Sequence, residues 1–181
     1  SGAFCSQFIR CLWKSASRKW KLKDEKTFKI RVCEEMIHAC DIDQQALDLA
    51  RIVLWISAGC PSEELKLNFS LCDSLVSGPC TDINDWSEHT GLEIDNGYDL
   101  VIGNPPYVMI KAEDYTKFKT KDTRNLYCLF TELSINLLNE KGLLSFIVPQ
   151  SIVGAVGTQS LRELIFAQGA AMKFQVFDSV P

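Results

Sequence analysis

Apolar positions along the chain fall into two periods, one helical and one of short continuous runs. Phe4, Phe8, Cys11, Leu12 and Trp20 recur at helical spacings, so Phe4–Trp20 reads as a helix. Residues 21–26 are charged and read as a loop; 28–35 is ambiguous, with a short helix as one reading. Met36-Ile37-His38-Ala39-Cys40 is a short apolar run ending in Asp41-Ile42-Asp43, the pattern of a buried strand that runs into a loop. Gln44–Ala58 carries Ala46, Leu47, Ala50, Val53, Leu54 and Ile56 on one broad face, which predicts a helix stopped by Gly59-Cys60-Pro61. Leu65–Leu71 alternates and predicts a second strand, with Asp73 just past its end. Residues 74–97 are polar and turn-rich, a long connection with room for a short helix near Trp86. Tyr98–Gly103 predicts a third strand running into Asn104-Pro105-Pro106-Tyr107. A helix over Leu126–Asn139 stops at Lys141-Gly142, and a fourth strand over Leu143–Val148 ends at Pro149. A last helix, Leu161–Gln168, closes at Gly169 and is followed by a fifth strand, Met172–Phe177.

Short apolar strands alternating with helices indicate an α/β chain with a largely parallel sheet. Ligands of such sheets bind outside the carboxyl ends of the strands. Asp41, Asp73 and Asn104 all fall at such ends and are expected to line one crevice.

Composition narrows the class. The 181 residues are 46% hydrophobic and 23% charged, an ordinary globular balance. No apolar run reaches the ~18 residues of a membrane span, and Arg10, Lys14 and Arg18 break the first apolar stretch, so no signal peptide is visible. The eight cysteines form no Cys-x-x-Cys pair and only two histidines are present, so no metal site is expected. Cys33, Cys40, Cys72 and Cys128 stand in apolar segments, as reduced thiols do, and a cytoplasmic protein is the expectation. The net charge of −4 hides segregation. Residues 1–31 are strongly basic, 32–110 strongly acidic, and 111–181 nearly neutral with a basic stretch at Lys111, Lys117, Lys119, Lys121 and Arg124. The plain reading of both basic segments is a solvated helix face and a solvated loop; the alternative is contact with phosphate. The chain begins Ser1-Gly2-Ala3 without a methionine, the expectation for a processed product or a fragment.

Asn104-Pro105-Pro106-Tyr107 after an apolar strand resembles the catalytic loop of amino-directed DNA methyltransferases that use S-adenosylmethionine. Tyr98–Gly103 is similar to that family's preceding strand, and Asn125-Leu126-Tyr127 with Phe130 to the helix start completing its cofactor pocket. Phe146-Ile147-Val148-Pro149 looks like its later strand, and Cys40-Asp41-Ile42-Asp43 with the helix carrying Ala50-Arg51 like its ribose-binding motif. Ser1-Gly2-Ala3-Phe4 resembles the tail of its glycine-rich first motif. The resemblance covers essentially the whole chain and is closest to the N6-adenine enzymes of type II restriction–modification systems, including those that fuse methylation and cleavage in one polypeptide.

The resemblance implies a Rossmann-like methyltransferase fold over 1–181, a partial catalytic domain lacking its first strand, which in the family lies centrally between the strands expected near 36–41 and 98–103. It implies S-adenosylmethionine as cofactor, held by Gly2, Ala3, Asp41, Ile42, Asp73, Ser74 and Phe130. Asp41 would accept from the ribose hydroxyls, Ile42 pack on the adenine, and Asp73 accept from the adenine amine. The plainer readings are turn and N-cap residues for the aspartates and a core aromatic for Phe130. Asn104, Pro105, Pro106 and Tyr107 would be catalytic. An adenine amine is a poor nucleophile because its lone pair is delocalised. The Asn104 side-chain oxygen and the Pro105 carbonyl, on a loop stiffened by proline, could accept its two N–H bonds and localise that pair, while Tyr107 offers a face to an extruded base. DNA is the implied partner, with Lys111, Lys117, Lys119, Lys121 and Arg124 on its phosphates and a target-recognition or restriction domain outside this chain; no membrane is implied.

Ala39 stands where the family often has glycine, and Val180-Pro181 near where an aromatic residue often packs on the flipped base. Similar loops occur in methyltransferases of release-factor glutamine and of ribosomal RNA, and N4-cytosine is a further target amine. A truncated, non-catalytic DNA-contacting or structural module is the alternative of a different class.

Overall fold

The computed structural model describes residues 2–76, 78–80, 82–169 and 173–176. The chain divides into two compact units, Ser1–Val76 with Trp86–Glu93, and Ser77–Asp85 with Ile94–Pro181.

In the first unit, α1 (Ala3–Trp20) starts at Gly2 and ends at Lys21, which adopts a left-handed conformation (φ 53°). The ambiguous stretch is helical: α2 (Glu25–Glu35) begins where the Asp24 carboxylate accepts from the Thr27 amide at 3.0 Å. Hydrogen bonds from the Thr27 amide and side chain hold the Asp24 carboxyl below its usual range. β1 (His38–Asp41) leads through Asp43, whose side chain caps the helix on the Gln45 amide at 2.9 Å, into α3 (Gln44–Ser57). β2 (Asn68–Leu71) is shorter than its alternation predicts and pairs with β1 in parallel, Asp41 opposite Leu71. The core gathers Ile9, Val32, Cys33, Ile37, Leu54 and Ala58, with Phe8, Phe28 and Phe69 packed against it. Burying a side chain such as Leu54, fully inaccessible, is worth about 1.5–3 kcal/mol. The expected short helix near Trp86 is α4 (Ile83–Thr90), which runs across the division between units.

In the second unit, β3 (Tyr98–Gly103) pairs in parallel with β4 (Leu138–Phe146). Two 3₁₀ turns, Ala112–Tyr115 and Lys121–Thr123, precede α5 (Leu126–Leu137). Unlike the predicted strand over Leu143–Val148, β4 starts directly after α5. Leu138 is extended and faces Tyr98, and the register then shifts so that Leu143 faces Leu100. The residues between form a bulge held by Asn139, whose Nδ2 donates to Asp99 Oδ1 at 2.7 Å and whose Oδ1 accepts from the Lys141 amide at 2.9 Å. Gly142 is required there, since a Cβ would stand 2.7 Å from the Tyr98 carbonyl oxygen. A short helix α6 (Ser151–Gly154) and α7 (Gln159–Ala167) complete a core of Tyr127, Cys128, Ile152 and Leu161.

The architecture is mixed α/β with small parallel sheets, as expected in kind but not in extent. Instead of one five-stranded sheet, the described residues form two sheets of two strands. The expected fifth strand is corrected for Lys173–Val176, which are exposed and form no strand with the described residues; an apolar, β-prone run becomes a strand only where a partner edge receives it. Met172, Phe177, Val180, Pro181 and Ser1 lie outside the described residues.

Gly97 (φ 86°) lies against backbone, and a Cβ there would sit 2.9 Å from both the Asn139 nitrogen and the Leu137 oxygen; Gly91 (φ 69°) has open space. Both alanine variants bear the left-handed penalty of about 1 kcal/mol. Gly97→Ala is expected to lower the unfolding free energy by about 2 kcal/mol more than Gly91→Ala, read from urea midpoints.

Candidate active site

The polar residues predicted at strand ends are at strand ends. Asp41 is the last residue of β1, and Asp73 lies just past the end of the adjacent parallel β2. The Cys72 amide donates to the Asp41 carbonyl at 3.0 Å, which extends the ladder into the turns. Asp41 Oδ1 accepts from the Asp43 amide at 3.0 Å, and Asp73 Oδ1 from the Leu75 amide at 2.9 Å. Each carboxylate thus closes its own turn through one oxygen, the local role that the pattern also allowed. His89 bonds the Asp73 carbonyl at 2.8 Å. Ile42 is 73% exposed, a large apolar side chain presented to solvent between two aspartates.

Cys40 and Cys72 immediately precede these two aspartates in the chain. Cys40 Sγ is 3.3 Å from Cys72 Sγ and 2.7 Å from Ser74 Oγ, and burial pushes the Cys40 thiol up to about 12. Ser74 is therefore turned towards Cys40. Gly2 packs on α3 with a left-handed φ of 71°, and a Cβ on it would lie 3.0 Å from Ala50 Cα and 3.2 Å from Val53 Cβ, so glycine is favoured at this close approach. Ala3 begins α1 and is exposed.

In the second unit, Asn104-Pro105-Pro106-Tyr107 leaves the end of β3. The Ile147 amide donates to the Gly103 carbonyl at 3.1 Å, so the tetrapeptide starts from a strand end anchored to its neighbour. Pro105 is buried while Asn104, Pro106 and Tyr107 are exposed. The Tyr107 hydroxyl lies 2.5 Å from Asn104 Oδ1 and 2.8 Å from the Ile147 carbonyl oxygen, two acceptors sharing one proton. This contact orients the Asn104 oxygen and leaves it a second lone pair. The Tyr107 ring meets Tyr127 edge-on, with centroids 6.1 Å apart at 90°. Phe130 is half-buried one turn along α5 from Tyr127. Asn125 caps α5, its Oδ1 accepting from the Tyr127 amide at 3.3 Å.

Lys117, Lys119 and Arg124 stand exposed on the segment before α5, Lys111 likewise, and Lys121 is half-exposed. Sequence reasoning missed Tyr127 as a support for Tyr107, Ile147 as its anchor, and Glu132. The available signal for Glu132 was that it is the one charged residue in the apolar run Leu126–Leu137. Among the described residues, no group of three or more His, Cys, Asp or Glu side chains could hold a metal ion, and no helix is long and apolar enough to cross a membrane.

Residues 35–179 match the sequence profile of the Eco57I restriction-modification methylase family. The chain belongs to that family. Its members are enzymes of the methyltransferase class, and the parallel strands with polar residues at their carboxyl ends are compatible with such a fold. A protein of Methanocaldococcus jannaschii, described as a candidate type II restriction enzyme and methyltransferase, is 32% identical over 77 residues, which cover 41% of this chain and 6% of the relative. The chain therefore spans a small part of that relative's length.

Tyr127 is 2% exposed, and burial pushes its phenol up to about 12 from an ordinary 10. The unfolded chain ionises this group first, so its contribution to stability is fully present below pH 10 and is lost as pH rises from 10 to about 12. The stability difference between the unsubstituted chain and Tyr127→Phe is expected to be flat to pH 10 and to shrink above it, with late tyrosinate absorbance at 295 nm as the spectroscopic check.

Proposed function

We propose that this methylase acts on DNA, transferring a methyl group from S-adenosylmethionine to the exocyclic N6 amine of an extruded adenine, in a Rossmann-like domain of a restriction–modification enzyme. The observation that carries the reading is the Asn104 side-chain oxygen, exposed at a parallel strand end and oriented by the Tyr107 hydroxyl, which also reaches the Ile147 carbonyl. An acceptor fixed in this way does not have to be ordered when the base arrives, which is what electrostatic preorganisation requires.

Asn104 Oδ1 and the Pro105 carbonyl accept the two amine N–H bonds, which concentrates the nitrogen lone pair. Pro106 stiffens the turn, and the Tyr107 ring receives the base. Tyr107 is 45% exposed and lies perpendicular to the buried Tyr127 ring, which leaves ring surface available to a base. Methylation leaves the nitrogen cationic and acidic, and it then loses one proton to water, so no strong base is needed beforehand.

The residues of the first unit fit the cofactor by their chemistry. The cofactor supplies an electrophilic methyl group on a sulfonium. Asp41 and Asp73, at adjacent strand ends, offer carboxylate oxygens to ribose hydroxyls and an adenine amine, and exposed Ile42 offers an apolar surface between them. Gly2 lets the chain approach α3 closely, with Ala3 at the helix start, and Ser74, next to Asp73 in the chain, is bonded through its hydroxyl to Cys40. Lys111, Lys117, Lys119, Lys121 and Arg124 contact DNA phosphates.

A tritium-methyl transfer assay offering DNA, ribosomal RNA and release-factor protein tests the reading. Label is expected in DNA as N6-methyladenine, and Asn104→Ala is expected to lower kcat by about 10²–10³-fold while cofactor binding persists. Label in RNA or protein, or an Asn104→Ala chain of unchanged kcat, rejects it.

A further inference from the structure

Glu132 is 2% exposed on α5, a helix most of whose residues are buried. Its Oε1 accepts from the Lys119 amide at 2.9 Å and its Oε2 from the Thr120 amide at 2.8 Å. A buried carboxylate is costly unless its oxygens are satisfied, and here consecutive backbone N–H groups of one loop satisfy both. The loop is the segment that follows the Asn104–Tyr107 tetrapeptide. Its ends are closed by the Leu126 amide on the Val108 carbonyl at 2.9 Å and the Ile110 amide on the Arg124 carbonyl at 3.0 Å. Within it, inward and outward residues alternate: Phe118 (2% exposed) and Thr120 (fully buried) point in, while Lys117 and Lys119 are exposed. The Thr120 hydroxyl is buried without a hydrogen-bond partner, so it is the backbone of Thr120, through Glu132, that secures this residue.

We infer that Glu132 is a positioning residue that clamps the loop from 108 to 126, so that its cationic ridge at Lys117, Lys119, Lys121 and Arg124 is preformed for the phosphodiester backbone of DNA. The inference rests on the DNA reading above for its partner; the clamp stands on geometry alone. The requirement is for a carboxylate: glutamine has the same shape but turns an NH₂ donor towards one of the two amide donors. Ordering the loop before encounter removes an entropy cost from binding, so the clamp acts on DNA affinity rather than on methyl transfer itself.

The test has one part that needs no DNA and one that does. In the unsubstituted full chain, the Lys119 and Thr120 amides are expected to exchange with solvent about 100-fold or more slowly than in an unstructured peptide; free exchange there overturns the clamp. Glu132→Gln is expected to make trypsin cut at Lys117, Lys119, Lys121 or Arg124 about tenfold faster, with circular dichroism retained, and unchanged protection overturns the clamp even if DNA is the wrong substrate. On DNA, Glu132→Gln is expected to raise KM about tenfold with kcat within about twofold, and to flatten the slope of log affinity against log salt by about one to two. A labile loop with unaltered KM and salt slope overturns the positioning role. Should the unsubstituted chain not bind DNA at all, the substrate reading fails while the exchange and trypsin results still decide the clamp.

Discussion

Parallel pairing places the carboxyl ends of neighbouring strands at the same edge, and the placement of Asp41, Asp73 and Asn104 depends on that constraint. β1 and β2 deliver Asp41 and Asp73 to adjacent turns because Asp41 faces Leu71 in register. β3 and β4 deliver Asn104 beside Ile147 because Gly103 faces Phe146. A slip of one residue in either ladder would turn side chains to the opposite face and part these groups. The bulge at Asn139–Gly142 absorbs the mismatch left by starting β4 directly after α5, and it preserves the register at the end where Asn104 emerges.

The second unit also spends an apolar helix on polar work. α5 is mostly buried, yet carries Tyr127, Thr131, Glu132 and Ser134 inside. Thr131 returns its hydroxyl to the Tyr127 carbonyl at 2.7 Å, Tyr127 packs perpendicular to the Tyr107 ring, and Glu132 gathers two loop amides. One helix therefore supports both the tetrapeptide and the basic loop that follows it. Buried polar groups that are fully paired define one arrangement more sharply than apolar packing alone, which suits a site whose acceptor must already point the right way.

Turn chemistry and candidate chemistry coincide in the first unit. Asp41 and Asp73 each commit one oxygen to a backbone amide two residues on. A plain turn aspartate would do the same, so the local bond neither argues for a ligand nor removes the ability to hold one: a carboxylate keeps further lone pairs. What distinguishes these two from Asp43, which caps α3, is their place at the ends of paired parallel strands.

The helical faces of α1, α3 and α7, the strand before Asp41, and the strand running into Asn104 were legible because periodicity and a stop residue suffice to define them. So was the family, since Asn104-Pro105-Pro106-Tyr107 stands with its flanking strands in order along one chain. Lys173–Val176 shows the limit: its residues favour a strand, but pairing depends on an edge elsewhere. The sequence by itself determined which groups sit at the strand ends, because the spacing of polar residues after apolar runs is a local property. Only the tertiary structure decided what those groups touch. The hydroxyl of Tyr107 on Ile147, the thiol of Cys40 beside Cys72 and the carboxylate of Glu132 under Lys119 and Thr120 are contacts made across the fold, whose partners no local pattern specifies.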